Sequence, residues 1–250
     1  MTAIGLEFAK LKRKRIWLTL AMVVGFELVW AVAGLMMTLT RTYEVPQNTA
    51  FVMIQTSGVV ALFSPVVATV IVSRLSAMEH EGRMMPALFA ANQSRRSLFL
   101  GKAFVACVMV TLGSVAYVAV VTLTAAARGV RADLTLTGTW LFGLVVANIA
   151  VVAVQLLLAL LFERQVVTLT VGILGGLLGS FATQVPAQLA IFIPWQYAGL
   201  VVPMRWQLSG STIVGLVPVE NLGVYLAFIV LVGVTCMAVA QRVFATMVSR

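Results

Sequence analysis

The sequence predicts an all-α, polytopic membrane protein with six transmembrane helices, and three observations support this. The chain of 250 residues is 61% hydrophobic and 10% charged, whereas a soluble domain is about half apolar and about a quarter charged. Its apolar residues fall into six runs that approach the roughly 20 residues a helix needs to cross a bilayer. Its 17 lysines and arginines cluster at the ends of these runs. A core of this size cannot absorb so much apolar surface, so we expect residues 1–250 to form a single transmembrane domain.

Residues 1–15 predict a short amphipathic helix that lies on the membrane surface. Apolar side chains recur there at roughly helical spacing beside five basic residues, which is typical of interfacial helices. A cleavable signal peptide is the alternative, because the sequence at 31–33 resembles a cleavage site. The apolar run continues past that site to Thr40, which favours a retained signal-anchor span.

The six predicted spans follow from the apolar runs in chain order. They lie near 16–39, within 45–73, and near 97–127, 139–162, 166–183 and 222–243.

Residues 184–220 are apolar but interrupted by proline, which argues against one continuous span. We expect short re-entrant or interfacial helices on the outer side, with Trp195, Tyr197 and Trp206 at the level of the lipid headgroups. The four prolines are Pro186, Pro194, Pro203 and Pro218.

The distribution of basic residues predicts the orientation of the chain. With the N-terminus inside, thirteen lysines and arginines fall on the inner segments and four on the outer segments. Inner segments are the basic ones in membrane proteins, so both termini are expected in the cytoplasm. Topology and anionic lipid then explain the net charge of +9 better than nucleic acid does. The segment 74–102 is placed in the cytoplasm.

Glu27 is the one ionisable residue predicted deep inside a span. A charge at that depth is costly, so the carboxyl should face a cavity or a neighbouring helix. Two interpretations stay open: a neutral carboxyl hydrogen-bonded to another helix, or a group on a translocation pathway. Uncharged polar residues in the spans allow the same two interpretations, and for them interhelical hydrogen bonds are favoured. These residues are Gln55, Asn148 and Gln155.

The fifth predicted span carries two overlapping G-x-x-x-G patterns. Small residues at this spacing allow two helices to approach closely. We expect these glycines to allow tight helix packing within the chain rather than to form a dimer interface. The glycines are Gly172, Gly175, Gly176 and Gly179.

No motif in the sequence predicts catalysis or metal binding. Gly101-Lys102 lacks the other residues of a phosphate-binding loop. One histidine, His80, cannot build a zinc site alone, and Cys107 and Cys236 lie in apolar runs as packing residues. We therefore expect that the chain is not an enzyme and carries no cofactor of its own.

The segment 74–102 predicts a docking surface for a soluble partner. The second span is expected to continue as helix to about Ala77, followed by a polar break at 79–82. A short helix then places four apolar residues on one face, which suits a hydrophobic groove on a partner or the lipid surface. The four are Met84, Met85, Leu88 and Phe89.

This segment resembles the coupling helix of a known transporter family. It reads EHEG at 79–82, then an apolar helix, SRR at 94–96 and GK at 101–102. That order is similar to the coupling-helix segment of type-2 ABC exporter permeases. Residues 7–17 also resemble the start of these permeases, above all in the lantibiotic-immunity branch. The pattern departs from the family at 84–85, where two methionines replace a common Thr-Trp pair, and at 92–93, where Asn-Gln replaces the usual proline.

The resemblance implies a permease subunit of a bacterial ABC exporter in the cell membrane. Two separate ATPase subunits, which would hold ATP and magnesium, would dock on the surface formed by Glu79, Glu81, Gly82 and the apolar face just described. A second permease chain, identical or related, would complete the pathway. The implied substrate is an amphipathic antimicrobial peptide, removed as self-protection. The alternatives are a multidrug or lipid ABC exporter and, on residue content, an ion-coupled secondary transporter.

Overall fold

The computed structural model describes residues 16–41, 46–81, 95–162, 164–181, 185–210 and 212–247. The amphipathic helix predicted over 1–15 lies outside these ranges. So do residues 82–94, which hold most of the predicted docking surface.

The described residues form a mainly helical bundle. The long helices are α1 (Ile16–Leu39), α2 (Thr49–Glu81), α3 (Arg95–Ala127), α4 (Leu134–Leu161) and α8 (Leu222–Met247), with the shorter α5 (Gln165–Ser180). Between α5 and α8 lie α6 (Ala187–Ala190), a 3₁₀ turn (Pro194–Gln196), α7 (Tyr197–Leu200) and the strands β1 (Met204–Ser209) and β2 (Thr212–Pro218).

Five of these helices are long and apolar enough to cross a membrane: α1, α2, α3, α4 and α8. The span predicted near 166–183 is the exception, because α5 has 16 residues and is about 24 Å long at 1.5 Å per residue. A bilayer core is about 30 Å thick. The prediction of six full-length spans is therefore not met by the described helices.

The helix ends differ from the predicted ones where a local hydrogen bond decides them. α4 begins at Leu134, ahead of the predicted 139, because the Asp133 carboxylate caps it by accepting a 3.0 Å bond from the Leu136 amide. α2 continues to Glu81, so the polar break predicted from residue 79 is wrong. Glutamate and histidine are tolerated in a helix interior, which explains the continuation.

One end of the bundle is closed by hydrogen bonds around Thr49, the first residue of α2. Its hydroxyl donates 2.9 Å to the Arg131 carbonyl and accepts 2.9 Å from the Asp133 amide. The start of α2 and the α3–α4 connection therefore meet, and we call this the Thr49 end. The hairpin lies there too, because Trp206 of β1 stacks edge-on against Phe51 with ring centroids 5.8 Å apart.

The described residues are mainly helical, as predicted, but they also form a β-hairpin that was not predicted. β1 and β2 pair antiparallel with an irregularity after Gln207, and Gly210 takes a positive φ of 63° between them. In this register Met204, Trp206, Leu208, Ile213, Leu216 and Pro218 share one face, which is entirely apolar.

Residues 196–203 pack largely inside the bundle, whereas Leu189 and Phe192 before them are 61% and 71% exposed. Tyr197, Ala198 and Val201 are at most 1% exposed, so Tyr197 does not lie at a headgroup surface as expected from the sequence. The ring of Trp195 lies against Gly175 of α5. The prolines here begin or end short elements: Pro186 precedes α6 and Pro194 opens the 3₁₀ turn.

The two longest helices, α2 and α3, run from the Thr49 end to the opposite end of the bundle. α2 and α3 each have 33 residues, or about 50 Å, and they are aligned at the Thr49 end. Both helices are therefore about 20 Å longer than a bilayer core is thick. We call the opposite end the Lys102 end, after the residue of α3 that is buried there.

Candidate functional site

The polar centre of the bundle is a small cavity beside Glu27. It measures about 20 Å³, and helices α1 to α4 all contribute to its lining. The Glu27 side chain is 5% exposed, so the carboxyl lies inside the protein rather than against lipid. The lining residues are Glu27, Val60, Ser64, Val67, Val110, Gly113, Ser114, Tyr117 and Asn148.

Asn148 of α4 joins three helices through hydrogen bonds. Its carbonyl oxygen accepts from the Ser64 hydroxyl of α2. Its amide nitrogen donates 2.7 Å to the Ser114 hydroxyl of α3, which in turn donates 2.9 Å to the Val110 carbonyl. This network fixes the three helices at the depth of the cavity, since each bond is buried.

Tyr117 closes the cavity on the α3 side. Its hydroxyl donates 2.7 Å to the Thr56 carbonyl of α2, and its ring meets Trp140 of α4 edge-on at 6.1 Å. Glu27, by contrast, makes no hydrogen bond with any residue in the described ranges. The interhelical hydrogen bond expected for this carboxyl is therefore not formed there.

The other predicted pathway residues lie elsewhere. Gln55 is half-buried and does not line the cavity. Gln155 is 0% exposed, and neither polar atom of its side chain has a hydrogen-bond partner among the described residues. The structure thus brings Glu27 together with Asn148 but leaves the two glutamines apart. Sequence reasoning missed Ser64, Ser114 and Tyr117, because nothing in the sequence marks which serines and tyrosines of different helices will meet.

The four glycines of α5 face α2 and Trp195. A Cβ on Gly172 would overlap the Thr69 side chain, and one on Gly176 would overlap the Leu62 carbonyl oxygen. Gly175 lies equally close to the Trp195 ring. These contacts are made within the chain.

Gly179 approaches a carbonyl group that α2 leaves free. Pro65 lies inside α2 and has no N–H to bond the Ala61 carbonyl four residues earlier. A Cβ on Gly179 would overlap that Ala61 oxygen. The absence of a side chain therefore lets α5 cover a backbone group that would otherwise face hydrocarbon.

Lys102 is 4% exposed at the other end of the bundle. Its ammonium nitrogen lies 5.9 Å from the centre of the Phe244 ring of α8, within range of a cation–π attraction. Phe244 also packs against Phe99 at 5.7 Å. The lysine thus ties the start of α3 to the end of α8.

The predicted docking residues lie next to this end. Glu79 and Glu81 are on the last turn of α2. Gly82, Met84, Met85, Leu88 and Phe89 fall outside the described residues. Within the described ranges, no three histidine, cysteine, aspartate or glutamate side chains come together as a metal site.

Comparison with known proteins identifies the family. A family model described as ABC-2 family transporter protein matches residues 3–179, which is well over half of the chain. No curated protein and no solved structure matches. Proteins of this family are the transmembrane components of transporters whose ATPases are separate subunits. With its five apolar helices of spanning length, the chain belongs to the ABC-2 family of transporter proteins.

Proposed function

We propose that the chain is the permease subunit of an ABC exporter that moves an amphipathic antimicrobial peptide out of the membrane. The family match supports the exporter permease, and the peptide substrate is our extension of it from the resemblance of residues 7–17 to the lantibiotic-immunity branch. Export fits a chain whose described surface is largely apolar and offers lipid-embedded faces on α1 and α8. A second permease chain, identical or related, would complete the pathway.

The ATPase subunits would dock on the helical turn at the end of α2 and the residues that follow it. The length of α2 supports this site, because 33 helical residues exceed the thickness of a bilayer core by about 20 Å. If the Thr49 end lies at one membrane surface, the last turn of α2 would extend beyond the other. The excess of basic residues on this side supports its assignment to the cytoplasm. Lys102 would transmit movement there to α8 through Phe244.

We also propose that α5 and residues 185–203 together make the sixth crossing. α5 begins near the Lys102 end, and Gly179, its next-to-last residue, lies opposite Ala61. Ala61 lies about 18 Å along α2 from Thr49, so α5 stops well inside the membrane. The short helices α6 and α7 would complete the passage to the hairpin. α7 is buried within the protein, where backbone that does not form a continuous spanning helix is tolerated.

Two variants test the docking surface. Glu81→Arg, or Met85 and Phe89 both changed to Asp, should abolish ATPase binding while membrane insertion stays intact. Charge reversal opposes the basic partner surface that an acidic turn implies, and aspartates remove the apolar face. Pull-down of the ATPase from detergent and substrate-dependent ATP hydrolysis measure the outcome.

Arg205→Asp is the matched control, because it changes a charge on the hairpin at the far end of the bundle. It should leave ATPase binding at the wild-type level. Undiminished binding and ATP hydrolysis in both docking variants would show that the partner binds elsewhere.

The substrate class is tested by protection of a sensitive bacterial strain. Expression of the chain with its ATPase should raise tolerance to cationic amphipathic peptides more than to lipophilic dyes. The reverse ranking would favour the multidrug exporter. Dependence on an ion gradient without ATP would favour a secondary transporter.

A further inference from the structure

The cavity beside Glu27 is lined by oxygen atoms whose hydrogens are donated elsewhere. The Ser64 hydroxyl donates to Asn148, the Ser114 hydroxyl to the Val110 carbonyl, and the Tyr117 hydroxyl to the Thr56 carbonyl. Each hydroxyl oxygen keeps a free lone pair. The polar lining therefore consists mainly of hydrogen-bond acceptors.

The one formal charge at this cavity lacks a partner. Glu27 is 95% buried and makes no hydrogen bond with the described residues. No lysine, arginine or histidine is among the lining residues, and Tyr117 is the other titratable group there. A carboxyl group in these surroundings must either hold a proton or, when it is ionised, have a positive charge beside it.

We propose that this cavity binds one small monovalent cation of the sodium class, with the Glu27 carboxylate as its charged ligand. Oxygens of Ser64, Ser114, Tyr117 and Asn148 would complete a set of hard ligands, which such cations prefer. One carboxylate balances one positive charge, whereas a divalent ion would leave a net charge buried. The volume of about 20 Å³ is enough for a body about the size of a water molecule.

The test is the thermal unfolding of the purified full-length chain in lipid nanodiscs. The pH is held at an alkaline value, choline chloride sets the ionic strength, and sodium chloride or potassium chloride is titrated in. Sodium should raise the unfolding temperature with saturation, as expected for a ligand that binds only the folded state. Potassium should have a smaller effect. Binding of radioactive sodium should saturate at one ion per chain.

Two variants assign the effect to the cavity. Glu27→Gln should abolish the response to sodium, and Ser114→Ala, which keeps the carboxyl, should weaken sodium affinity by about tenfold. Gln55→Ala is the matched control, because Gln55 is an intramembrane amide outside the cavity, and it should respond as the wild type does.

Several outcomes would overturn the proposal. Equal effects of sodium, potassium and choline would show that no ion is bound selectively. A response to pH alone that disappears in Glu27→Gln would show that a proton occupies the carboxyl instead. A sodium response retained in both Glu27→Gln and Ser114→Ala would place the ion elsewhere in the chain.

Discussion

At the scale of single residues, Asn148 organises the membrane interior. It is buried, at 6% exposure, and both ends of its amide are used, one by Ser64 and one by Ser114. Asn148→Leu should lower the free energy of unfolding by about 1–3 kcal/mol, because interhelical hydrogen bonds in membranes contribute about 0.6 kcal/mol each on average and up to about 1.7. Unfolding in mixed micelles measures the change.

Gln55→Leu is the control for that substitution. It also replaces a polar residue of a span by leucine, but the Gln55 side chain is half-buried and outside the network, so stability should change little. Equal losses in the two variants would mean that the Asn148 bonds add nothing specific.

The sequence identified part of this centre and missed the rest for a physical reason. Glu27 and Asn148 stand out because an acid and an amide are costly in hydrocarbon. Ser64 and Ser114 can satisfy their own hydroxyls on the backbone of the preceding helical turn, so their presence in a span predicts no partner. Their pairing depends on how α2, α3 and α4 are placed side by side, which no local pattern encodes.

At the scale of secondary-structure elements, the contact of α5 with α2 depends on glycine. Gly176→Ala should destabilise the protein by about 1–3 kcal/mol, because the added methyl would overlap the Leu62 carbonyl oxygen, which belongs to the backbone and cannot rotate away. Thermal unfolding in nanodiscs measures the effect.

Gly25→Ala in α1 is the matched substitution, because a Cβ there meets nothing within 4 Å. It should be neutral or stabilising by up to about 1 kcal/mol through helix propensity. A Gly176→Ala protein as stable as Gly25→Ala would mean that α5 does not pack on α2 this closely.

The long helices were predictable, whereas the hairpin was not. The bounds of α1 match the predicted 16–39, because an apolar run of this length, with Glu27 as its one charged residue, is expected to form a single helix in a membrane. Residues 204–218 are also apolar and lie among prolines, so they were assigned to short helices. Alternating apolar residues around Ser209 and Gly210, with the β-branched Thr212 and Ile213 beyond them, were the available signal for two strands and a turn.

At the scale of the whole molecule, the two ends of the bundle should differ in access from outside the cell. Single cysteines at Arg131 and Ser209, at the Thr49 end, should react with a membrane-impermeant maleimide in intact cells. A cysteine at Arg164, in the α4–α5 connection, should react only after permeabilisation. The excess of basic residues at the Lys102 end is the reason for this expectation.

The background for this labelling is the chain with Cys107 and Cys236 changed to Ala. Both thiols are partly buried within helices, and the cysteine-free protein sets the zero level. Labelling of the Arg164 site in intact cells, with Arg131 silent, would invert the assigned orientation.

The shortness of α5 has a consequence for the surrounding bilayer. A helix about 24 Å long cannot match a hydrocarbon layer about 30 Å thick, so either lipid tails compress beside it or residues 185–203 fill the gap. Compressing lipid costs elastic energy that grows with acyl-chain length. Any movement that withdraws those residues from α5 becomes harder in a thick membrane and easier in a thin one. Lipid composition would then change the free energy of this movement in the permease.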